Sequence, residues 1–560
     1  MSSASTNISR RALVKGAGIA AVAAVTTSAV TRPARAATPE EVTSWDYETD
    51  VVVVGFGGAG GVAMATAVEN GAEVIVLERA PKEGGGTTRI STGCISTVED
   101  PEGALEYLHH QVKGLTPDDV WEEYLQQGTT IKQWLDERDI PYGDLTGVLG
   151  ADYHNWPGAD AFGSVSLTPS EGEAAGGPFY RWETQFAADN GVEILFDTRA
   201  QHLVQDTATK EVVGVIATKS DGSEVTVRAK RGVILCCGGF EFNDEMIGNY
   251  LVPSPLAHEG WIYNTGDGLR MGMEIGAEMW HMNMLDAYGV GFVAPGDNRA
   301  RFGYNGASCK SGSFIWVNRQ GKRFMCENPS NFGTPFGHRS VNQFALMNDI
   351  PGQLPDDYDS SYMNIPFYVI FDSKQMAAGP LYDSPSAGLT FVDAELGGQE
   401  PWSSDNSEEL ERGWILKGDT IEELVAAINE NSADEGYRMD PAALQATIDE
   451  YNKACESGED AQFGRPADVS GAENLVPLGD APYYAMRLMP VLNTTKGGPK
   501  KNSQAQVIGL DGNPIPRLYE AGTLGHTAAQ VYCIFGANLA ECLNFGRIAG
   551  RNAAQETPLA

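Results

Sequence analysis

The sequence predicts an α/β fold in which a domain built on a parallel sheet carries a second, inserted α+β domain. Three features predict it: a glycine-rich strand-turn-helix pattern near the N-terminus, an irregular aromatic-rich middle section, and strand and helix patterns that resume near the C-terminus. At 560 residues, the chain is long enough for two domains with sizeable cores.

Residues 50–78 carry the pattern of a Rossmann-type nucleotide site. Four consecutive valines predict a buried strand, which leads into Gly55-x-Gly57-x-x-Gly60, an alanine-rich helix, and a second strand that ends in Glu78. In this pattern the first glycine permits a tight turn, the second lets the backbone approach a pyrophosphate, and the third packs the helix on the strand. The helix N-terminus then faces the phosphates, and Glu78 lies where a carboxylate binds the hydroxyls of the adenosine ribose.

The chain divides into four predicted segments. Residues 1–36 form a signal peptide, 37–252 and 486–560 form the two parts of the nucleotide-binding domain, and 253–485 form the inserted capping, or substrate, domain. The inserted segment is set apart by its aromatic residues, its methionines, and irregular loops rich in Pro, Gly and Asp.

Local patterns predict the main elements of these segments. Apolar periodicity predicts helices over 102–136, 182–190, 420–431, 441–457 and 536–554. Apolar runs predict strands over 192–196, 212–218, 225–229, 232–237, 505–508 and 518–522, with a hairpin turn at Asp221-Gly222.

The N-terminus predicts export. Residues 9–15 (Ser-Arg-Arg-Ala-Leu-Val-Lys) form a twin-arginine pattern, an apolar run follows over 16–30, and Ala34-Arg35-Ala36 offers a cleavage site. The apolar run is too short and too rich in Ala and Gly for stable membrane insertion. We therefore expect a protein exported to the periplasm or cell envelope; a disordered basic tail is the alternative.

Charge and cysteine usage exclude several classes of protein. A formal net charge of -36 argues against nucleic-acid binding, which needs clustered Lys and Arg. The cysteines form no C-x-x-C pair, so we expect neither attached haem nor a locally spaced iron–sulfur site. The histidines are scattered, and we expect no metal site. Adjacent Cys236 and Cys237 fall in an apolar strand pattern and are interpreted as small core residues.

Several separated blocks together resemble one flavoprotein superfamily, which contains the flavoprotein subunits of fumarate reductase and succinate dehydrogenase, urocanate reductase, and 3-ketosteroid Δ1-dehydrogenases. The blocks follow in order over nearly the whole mature chain, at residues 55–78, 84–88, 191–194, 232–240, 266–268, 317–324, 495–498, 518–522 and 545–550. The resemblance implies a Rossmann-type FAD-binding domain with an α+β capping domain over the flavin. It also implies FAD held non-covalently, and hydride transfer between the flavin and a carbon of an activated C–C bond.

The fingerprint and the resemblance together imply which residues hold FAD. Most are glycines and small polar residues that allow close approach of the backbone. They are Gly55, Gly57, Gly58, Ala59, Gly60, Glu78, Arg79, Gly85, Gly86, Thr87, Thr88, Ser91, Thr92, Gly93, Gly238, Gly239, Asp267, Gly522, Asn538 and Leu539.

The resemblance also implies a proton donor. In fumarate reductases an arginine shortly after an N-x-x-G-x-R-F block protonates the alkene carbon, and residues 336–343 resemble that segment with Arg339 in the donor's place. An arginine normally keeps its proton, so this role needs a relay, and Glu327 is similar to the family's relay carboxylate. The alternative is that Arg339 is a loop arginine paired with an acid.

Two departures from the dicarboxylate reductases bear on the substrate. Cys533 stands where those enzymes carry a second arginine, and Asn493 and Thr494 stand where they carry two histidines. Groups that hold carboxylates are therefore missing, which disfavours fumarate. The aromatic residues of the inserted segment favour a larger, flatter ligand.

Tyr532 and Gly536 resemble the Tyr-x-x-x-Gly of ketosteroid dehydrogenases, in which a phenol hydroxyl and a backbone N–H bind the substrate carbonyl. Such a pair stabilises an enolate as hydride arrives or leaves. The alternative is that Tyr532 is a packing residue at a helix start. Tyr288 falls in the segment that carries a substrate histidine in fumarate reductases, and His526 falls near the expected flavin edge, so both are further candidates.

Three functions remain open on the sequence alone. The first, favoured by Arg339, is an exported FAD-dependent ene-reductase for a C=C bond conjugated to a carbonyl or carboxylate, acting in anaerobic respiration. The second is a 3-ketosteroid-type dehydrogenase that introduces a C=C bond next to a ketone, with a tyrosine moving the proton. The third is an electron-relay flavoprotein without substrate chemistry, which the large inserted segment disfavours. Because the chain has no haem motif, we expect a separate electron carrier.

Overall fold

The computed structural model describes residues 35–112, 114–151, 154–171, 173–286, 290–294, 302–304, 309–327, 362–382, 402–432, 437–469, 471–528 and 534–560. Ala36–Ala560 forms one compact unit. Two large sheets organise this unit, and the fingerprint lies on the first of them.

The sheet that carries the fingerprint, here the nucleotide sheet, has eight strands among the described residues. Six strands follow in the order Gln506–Ile508, Pro514–Glu520, Glu224–Leu235, Tyr47–Val54, Val74–Leu77 and Glu193–Leu195. The strand Val212–Thr218 also pairs with Glu224–Leu235, and Arg199–Gln205 pairs with Val212–Thr218. The strands from Pro514–Glu520 to Glu193–Leu195 are all parallel, whereas the remaining pairs are antiparallel. The predicted α/β fold is confirmed.

Both faces of the nucleotide sheet are buried. Val51 and Val53 pack in the core that contains the fingerprint helix, and Val52 and Val54 pack in the core on the other face. A parallel strand buried on both faces needs apolar residues at every position, which explains the continuous rather than alternating valine run.

One strand differs from its prediction. Residues 225–229 and 232–237, predicted as two strands, belong to the single strand Glu224–Leu235, and Cys236 and Cys237 lie beyond its end. Lys230 and Arg231 divide the two apolar runs in the sequence, yet both stay in the strand with half-buried side chains.

In the described part of the chain, the second large sheet has seven strands and contains much of the predicted inserted segment. Its path is Phe302–Tyr304, Val290–Phe292, Tyr483–Leu492, Phe367–Asp372 and Phe314–Val317, and Ala257–His258 and Ile415–Gly418 also pair with Tyr483–Leu492. That central strand crosses the predicted boundary at 485, and the division into domains stays a prediction.

Four smaller sheets are also present among the described residues. Cys94–Val98, Phe162–Leu167 and Tyr142–Asp144 form an antiparallel sheet. Two-stranded pairs join Met279–Trp280 with Gly498–Pro499, Leu285–Asp286 with Thr494–Thr495, and Asp468–Val469 with Ala472–Glu473.

The helices follow most of the predicted periodic segments. Those of the described residues are Gly58–Glu69, Gly86–Arg89, Pro101–Val112, Asp118–Gly128, Ile131–Asp136, Gly177–Asp189, Asp244–Tyr250, Asp267–Glu274, Ser373–Ala377, Ser407–Glu411, Ile421–Asn431, Pro441–Ser457 and Ala537–Gln555, with 3-10 turns at Pro39–Glu41 and Ala159–Ala161. Thr420 and Asp440 cap two of them, because their side chains accept hydrogen bonds from first-turn N–H groups.

The C-terminal helix Ala537–Gln555 packs against the fingerprint helix Gly58–Glu69 through glycine. A Cβ at Gly550 would collide with the carbonyl oxygen of Ala63, and a Cβ at Gly546 would lie 3.1 Å from backbone of the fingerprint helix. The two backbones therefore approach directly, which brings the start of the C-terminal helix next to the fingerprint turn.

A buried carboxyl group lies beside the fingerprint helix. Glu183, on the helix Gly177–Asp189, is 0% exposed, and neither carboxyl oxygen has a hydrogen-bond partner among the described residues. Its side chain packs on Gly61, where a Cβ would collide with the carboxyl group. Burial raises the pKa of Glu183 well above its ordinary value, so folding favours the protonated acid.

We expect the wild-type protein to lose stability as the pH rises, and we expect Glu183→Gln to lack this loss. Because folding raises the pKa of Glu183 above the ordinary value of 4.5, its contribution to stability is fully present below that value and is lost as the pH rises toward the folded value. Between pH 5 and 8, the free energy of unfolding of the wild type should fall relative to Glu183→Gln, by up to about 1.4 kcal/mol per pH unit. Thermal unfolding of both proteins across this range measures the difference.

The exposed Glu122 supplies the matched control, since Glu122→Gln removes a solvated carboxylate of the same type. Its pH profile should follow the wild type. Parallel profiles for Glu183→Gln and the wild type would contradict the protonated state of Glu183.

Candidate active site

A pocket lies where the parallel strands of the nucleotide sheet end. Val54, Leu77, Cys236 and Ala521, at or just after the ends of four strands, contribute to its wall. Ligands of open α/β sheets bind at this edge. The other lining residues are Gly55, Phe56, Gly57, Gly58, Ala59, Glu78, Arg79, Gly86, Thr87, Thr88, Ser91, Thr92, Cys94, Thr198, Arg199, Ala200, Cys237, Gly238, Trp261, Tyr263, Asn264, Asp267, Asp286, Asn493, Thr494, Gly522, Thr523, Phe535, Gly536, Asn538, Leu539 and Cys542.

The three fingerprint glycines have different surroundings. Gly55 has a φ of +101°, a conformation that favours glycine at the strand end. A Cβ at Gly57 would meet no protein atom closer than 3.6 Å, whereas a Cβ at Gly60 would collide with the carbonyl oxygen of Gly55. The first glycine thus makes the turn, the second leaves room beside the pocket, and the third lets the helix begin against the turn.

Glu78 is held by backbone N–H groups at the end of its strand. Its carboxylate accepts hydrogen bonds from the N–H of Phe56 at 2.8 Å and the N–H of Ala80 at 2.7 Å. Burial raises the pKa of Glu78, and these two bonds oppose that rise. The carboxylate is therefore fixed beside the fingerprint turn.

Asp267 joins two arginines near Glu78. It accepts hydrogen bonds from Nε of Arg199 at 2.8 Å, from Nη2 of Arg199 at 2.5 Å, and from Nη1 of Arg79 at 3.2 Å. The bond to Asp267 raises the pKa of Arg199, whereas burial lowers the pKa of Arg79. We call these four residues the Glu78 cluster: Glu78, Arg79, Arg199 and Asp267. The cluster gives the pocket two guanidinium groups that suit an anionic ligand.

A hydrogen-bond network ties Thr87 to the opposite wall. Its Oγ1 accepts hydrogen bonds from the N–H of Trp261 and from Nδ2 of Asn264, both at 3.2 Å. Asn264 also donates to the carboxyl of Glu241 at 2.6 Å, and burial raises the pKa of Glu241 to about 7. These bonds fix the Gly86–Arg89 turn relative to the loop that carries Trp261.

A second polar cluster lines the pocket. The strands Leu285–Asp286 and Thr494–Thr495 set Asp286 opposite Thr494, and the N–H of Asn493 donates to the carbonyl oxygen of Asp286 at 2.9 Å. Nδ2 of Asn538 donates to the Asp286 carboxylate at 2.9 Å. We call Asp286, Asn493, Thr494 and Asn538 the Asp286 cluster.

The C-terminal helix Ala537–Gln555 directs its N-terminus at the same pocket. Gly536, Asn538 and Leu539 line the pocket, and Gly536 is the N-cap residue with a φ of +86°. The first-turn N–H groups of a helix carry partial positive charge, which favours an anion or a polarised carbonyl oxygen at this position.

The residues present fit FAD. The room beside Gly57, the N-terminus of the fingerprint helix and the carboxylate of Glu78 are the groups that a pyrophosphate and an adenosine ribose require. No group of three or more His, Cys, Asp or Glu among the described residues suits a metal ion.

Most of the predicted cofactor-binding residues line this pocket. They are Gly55, Gly57, Gly58, Ala59, Glu78, Arg79, Gly86, Thr87, Thr88, Ser91, Thr92, Gly238, Asp267, Gly522, Asn538 and Leu539. Four predicted residues are not part of the lining, although each is next to a lining residue in the chain: Gly60, Gly85, Gly93 and Gly239.

The predicted catalytic residues are only partly described. Gly536 lines the pocket, and Glu327 does not. Tyr288, Arg339 and Tyr532 lie outside the described residues, as does most of the predicted signal segment. Their roles stay predictions.

Glu327 belongs to a buried ion network. Its carboxylate accepts hydrogen bonds from Arg323 at 2.6 and 2.8 Å and lies 3.7 Å from Nη1 of Arg465. Arg323 also pairs with Asp460 at 2.7 Å. Glu327 thus already interacts with two guanidinium groups. A proton relay from Glu327 to Arg339 would have to extend this network.

His526 lies behind the pocket lining. Its side chain is fully buried, its Nδ1 accepts a hydrogen bond from the N–H of Ala528 at 2.8 Å, and its carbonyl oxygen bonds to the ring of His281 at 2.8 Å. Burial lowers the pKa of His526 well below its ordinary value. The imidazole is therefore neutral and shapes the loop, which matches a local capping role.

Sequence reasoning missed some lining residues. Cys236 belongs to the core, as interpreted, but it and Cys237 also line the pocket directly after the strand end. The following Gly238-Gly239 was the available signal for a turn there. Arg199 had no local signal, because its partner Asp267 is 68 residues away in the chain.

Residues 50–536 match the family model described as "FAD binding domain". The chain belongs to the FAD-binding domain family. This match confirms the predicted cofactor and leaves the mode of FAD attachment open. Together with the names of the curated relatives, it confirms the assignment as an FAD-dependent oxidoreductase.

Curated relatives cover almost the whole chain at low identity. Digoxin reductase of Eggerthella lenta is 28% identical, over 97% of this chain and 93% of its own. Urocanate reductase of the same species is 26% identical over 92% of this chain and 76% of its own. The 3-oxosteroid 1-dehydrogenase of Mycobacterium tuberculosis is 26% identical over 91% of this chain and 99% of its own. These relatives confirm the predicted superfamily.

Solved structures share the fold. The 3-ketosteroid Δ1-dehydrogenase of Sterolibacterium denitrificans superposes with a TM-score of 0.71 at 21% identity, covering 90% of this chain and 99% of its own. At this identity the likeness concerns the fold alone. Among the described residues of the present chain, no helix has the length and apolar character to span a membrane.

We expect Gly57→Asp to abolish FAD binding while leaving the apoprotein folded. Gly57 is the N-cap of the fingerprint helix with a φ of -101°, a position where aspartate is favoured, so the helix should not suffer. The new carboxylate would instead occupy the room beside the pocket and repel phosphate. FAD affinity should fall by about a hundredfold or more, equivalent to about 2.7 kcal/mol. Fluorescence titration of apoprotein with FAD measures it.

Gly143→Asp is the matched control, because a Cβ at Gly143 meets nothing within 4 Å. This variant adds the same charge and should keep wild-type FAD affinity. Near-wild-type FAD binding by Gly57→Asp would rule out the pocket as the pyrophosphate site. Thermal unfolding of both apoproteins separates lost binding from lost folding.

Proposed function

We propose that the protein is an exported FAD-dependent ene-reductase that saturates a C=C bond conjugated to a carbonyl or carboxylate group. When bound, FAD would supply the hydride. The residues of the chain would hold the cofactor non-covalently, polarise the conjugated carbonyl and deliver the proton.

The two polar clusters support one orientation of the cofactor. A carboxylate at the end of the second fingerprint strand binds the adenosine ribose in this type of site, so the Glu78 cluster takes the adenosine end. The flavin end then belongs with the Asp286 cluster and the N-terminus of the helix Ala537–Gln555.

The observation that carries the substrate class is that no described lining residue beside the Asp286 cluster is a cation that could hold a carboxylate. Among the described lining residues, the cationic side chains are Arg79 and Arg199, both in the Glu78 cluster. The Asp286 cluster presents a carboxylate, two amides and a hydroxyl. Cationic partners recognise a dicarboxylate, whereas hydrogen-bond donors suffice for a neutral conjugated carbonyl. A neutral ketone, lactone or ester is therefore favoured over fumarate.

The proposed chemistry divides between two sets of residues. The N–H of Gly536, the helix N-terminus and the hydroxyl of Tyr532 polarise the substrate carbonyl, so that charge developing on its oxygen is stabilised. Arg339 gives a proton to the other alkene carbon and regains one through Glu327. Tyr288 is a further substrate contact in this scheme.

The proposed setting is the periplasm or cell envelope. The twin-arginine pattern of residues 9–15 supports export of the folded protein. Electrons then come from a separate carrier, and reduction of the alkene serves as a terminal electron-accepting step.

A 3-ketosteroid-type dehydrogenase is the second candidate. The position of Gly536 in the pocket lining and the relative named 3-oxosteroid 1-dehydrogenase favour it. The relatives named digoxin reductase and urocanate reductase favour the reductase. The identity of the group that moves the proton separates the two.

We expect the FAD-loaded mature protein to oxidise reduced viologen under anaerobic conditions when a conjugated carbonyl compound is present. The panel comprises fumarate, urocanate, aryl acrylates, 4-en-3-one steroids and digoxin. Neutral substrates should support turnover and fumarate should not. Arg339→Ala should lower kcat by about 10²- to 10⁴-fold, the usual cost of a lost general acid, with FAD content unchanged.

Arg412→Ala is the control, because Arg412 is a well-exposed arginine of the same predicted segment. It should leave kcat unchanged. Fumarate turnover matching that of neutral substrates would overturn the substrate class. Desaturation of a 3-ketosteroid with an oxidised dye, lost in Tyr532→Phe but kept in Arg339→Ala, would establish the dehydrogenase.

A further inference from the structure

Lys496 is a buried cation directly behind the Asp286 cluster. It is 1% exposed, and its Nζ donates a hydrogen bond to Oδ1 of Asn538, whose side chain lines the pocket. Nδ2 of the same Asn538 donates to Asp286. Asn538 thus connects the lysine charge to the pocket wall.

The backbone fixes Lys496 from two sides. Its N–H donates to the carbonyl oxygen of Met284 at 3.0 Å, and its carbonyl oxygen accepts from the N–H of His526 at 3.0 Å. It lies between the short strands Thr494–Thr495 and Gly498–Pro499, which pair with two different partner strands. The position of the ammonium group is therefore set by the fold.

The charged and titratable groups around Lys496 come from several elements. They are Asp286 on its strand, Glu241 after the strand Glu224–Leu235, Glu541 and Cys542 on the C-terminal helix, and His526. Burial lowers the pKa of Lys496 to about 8, and the acidic groups oppose this shift. The lysine is thus protonated at neutral pH and loses its charge within an accessible pH range.

We propose that Lys496 is a positioning residue that raises the redox potential of bound FAD, by compensating the negative charge gained at the Asp286 end of the pocket on reduction. When FAD takes up two electrons and one proton, the site gains one negative charge. A fixed cation in a low-dielectric surrounding stabilises that charge, and the N-terminus of the helix Ala537–Gln555 acts in the same direction. The electrons come from an external reductant.

The inference rests on the cofactor and its proposed orientation, and not on the substrate or the direction of the reaction. It is therefore tested without substrate. The midpoint potential of bound FAD is measured by spectroelectrochemistry on the holoenzyme between pH 6.5 and 9.5, so that failure of the enzyme assay and failure of this inference are separate results.

In the wild type, the dependence of the potential on pH should steepen above about pH 8. Oxidised FAD leaves Lys496 deprotonated there, whereas the added negative charge of the reduced state raises the pKa of the lysine, so reduction takes up a second proton. Proton uptake should rise from one toward two per two electrons. A constant proton uptake from pH 7 to 9.5 would overturn the proposal, and this result needs no variant.

Lys496→Met keeps the length of the side chain and removes its charge. At pH 7 it should shift the two-electron equilibrium at least tenfold toward oxidised FAD, about 30 mV, and should abolish the steepening above pH 8. Glu241→Gln should keep the steepening, because its pKa of about 7 makes it the rival titrating group. FAD content verifies that each variant is loaded.

Lys500→Met is the matched control, since Lys500 lies on the same segment and pairs with Glu278 at 3.1 Å outside the pocket lining. It should leave the potential unchanged. If the two-electron equilibrium constant of the Lys496→Met holoenzyme stayed within twofold of the wild-type value, the proposal would be overturned. If this variant fails to bind FAD, the pH dependence of the wild type and of Glu241→Gln decides.

Discussion

The close contact between the fingerprint helix and the C-terminal helix is the constraint on which the pocket depends. These two elements are nearly 500 residues apart in the chain, and they approach through Gly546 and Gly550, where a side chain would strike helix backbone. Gly522 likewise lets its backbone approach the fingerprint helix closely, since a Cβ there would lie 2.9 Å from Cβ of Ala59. Separating the helices would move Asn538 and the helix N-terminus away from the fingerprint turn, and the pocket would lose one wall.

Behind that wall the local charge differs from that of the protein as a whole. The chain carries a net charge of -36, yet two buried lysines lie behind the pocket. Lys501 is held by Glu520 at 3.0 Å and by Glu541 at 2.8 Å, and its charge is thus largely compensated. Lys496 also has acidic groups nearby, and it bonds directly to Asn538 of the pocket wall. An acidic protein can therefore present a locally favourable site for an anionic cofactor.

Local patterns predicted the parts of the fold that are decided locally. The strands beside Val51 and Val74 have continuous apolar runs, and the helices after Thr420 and Asp440 begin with capping side chains, so their positions followed from the sequence. Contacts between distant residues did not. Arg199 with Asp267, and Asn538 with Asp286, join segments 68 and 252 residues apart, and no local signal specifies such partners. The same limit hid Lys496, whose proposed role depends on where Asn538 lies.

The fold itself does not decide between reduction and desaturation. In the proposed scheme, a donor at Gly536 and a helix N-terminus would stabilise charge on a carbonyl oxygen. That charge would develop in the same place whether hydride arrives at the β-carbon or leaves it. Direction therefore depends on two other quantities: the group that moves the proton, and the potential of the cofactor relative to the substrate couple. In our proposals the first quantity depends on Arg339 and Tyr532, and the second depends on buried charge near the pocket. Two proteins with the same pocket architecture can thus run in opposite directions, which is consistent with reductases and a dehydrogenase among the relatives of this chain.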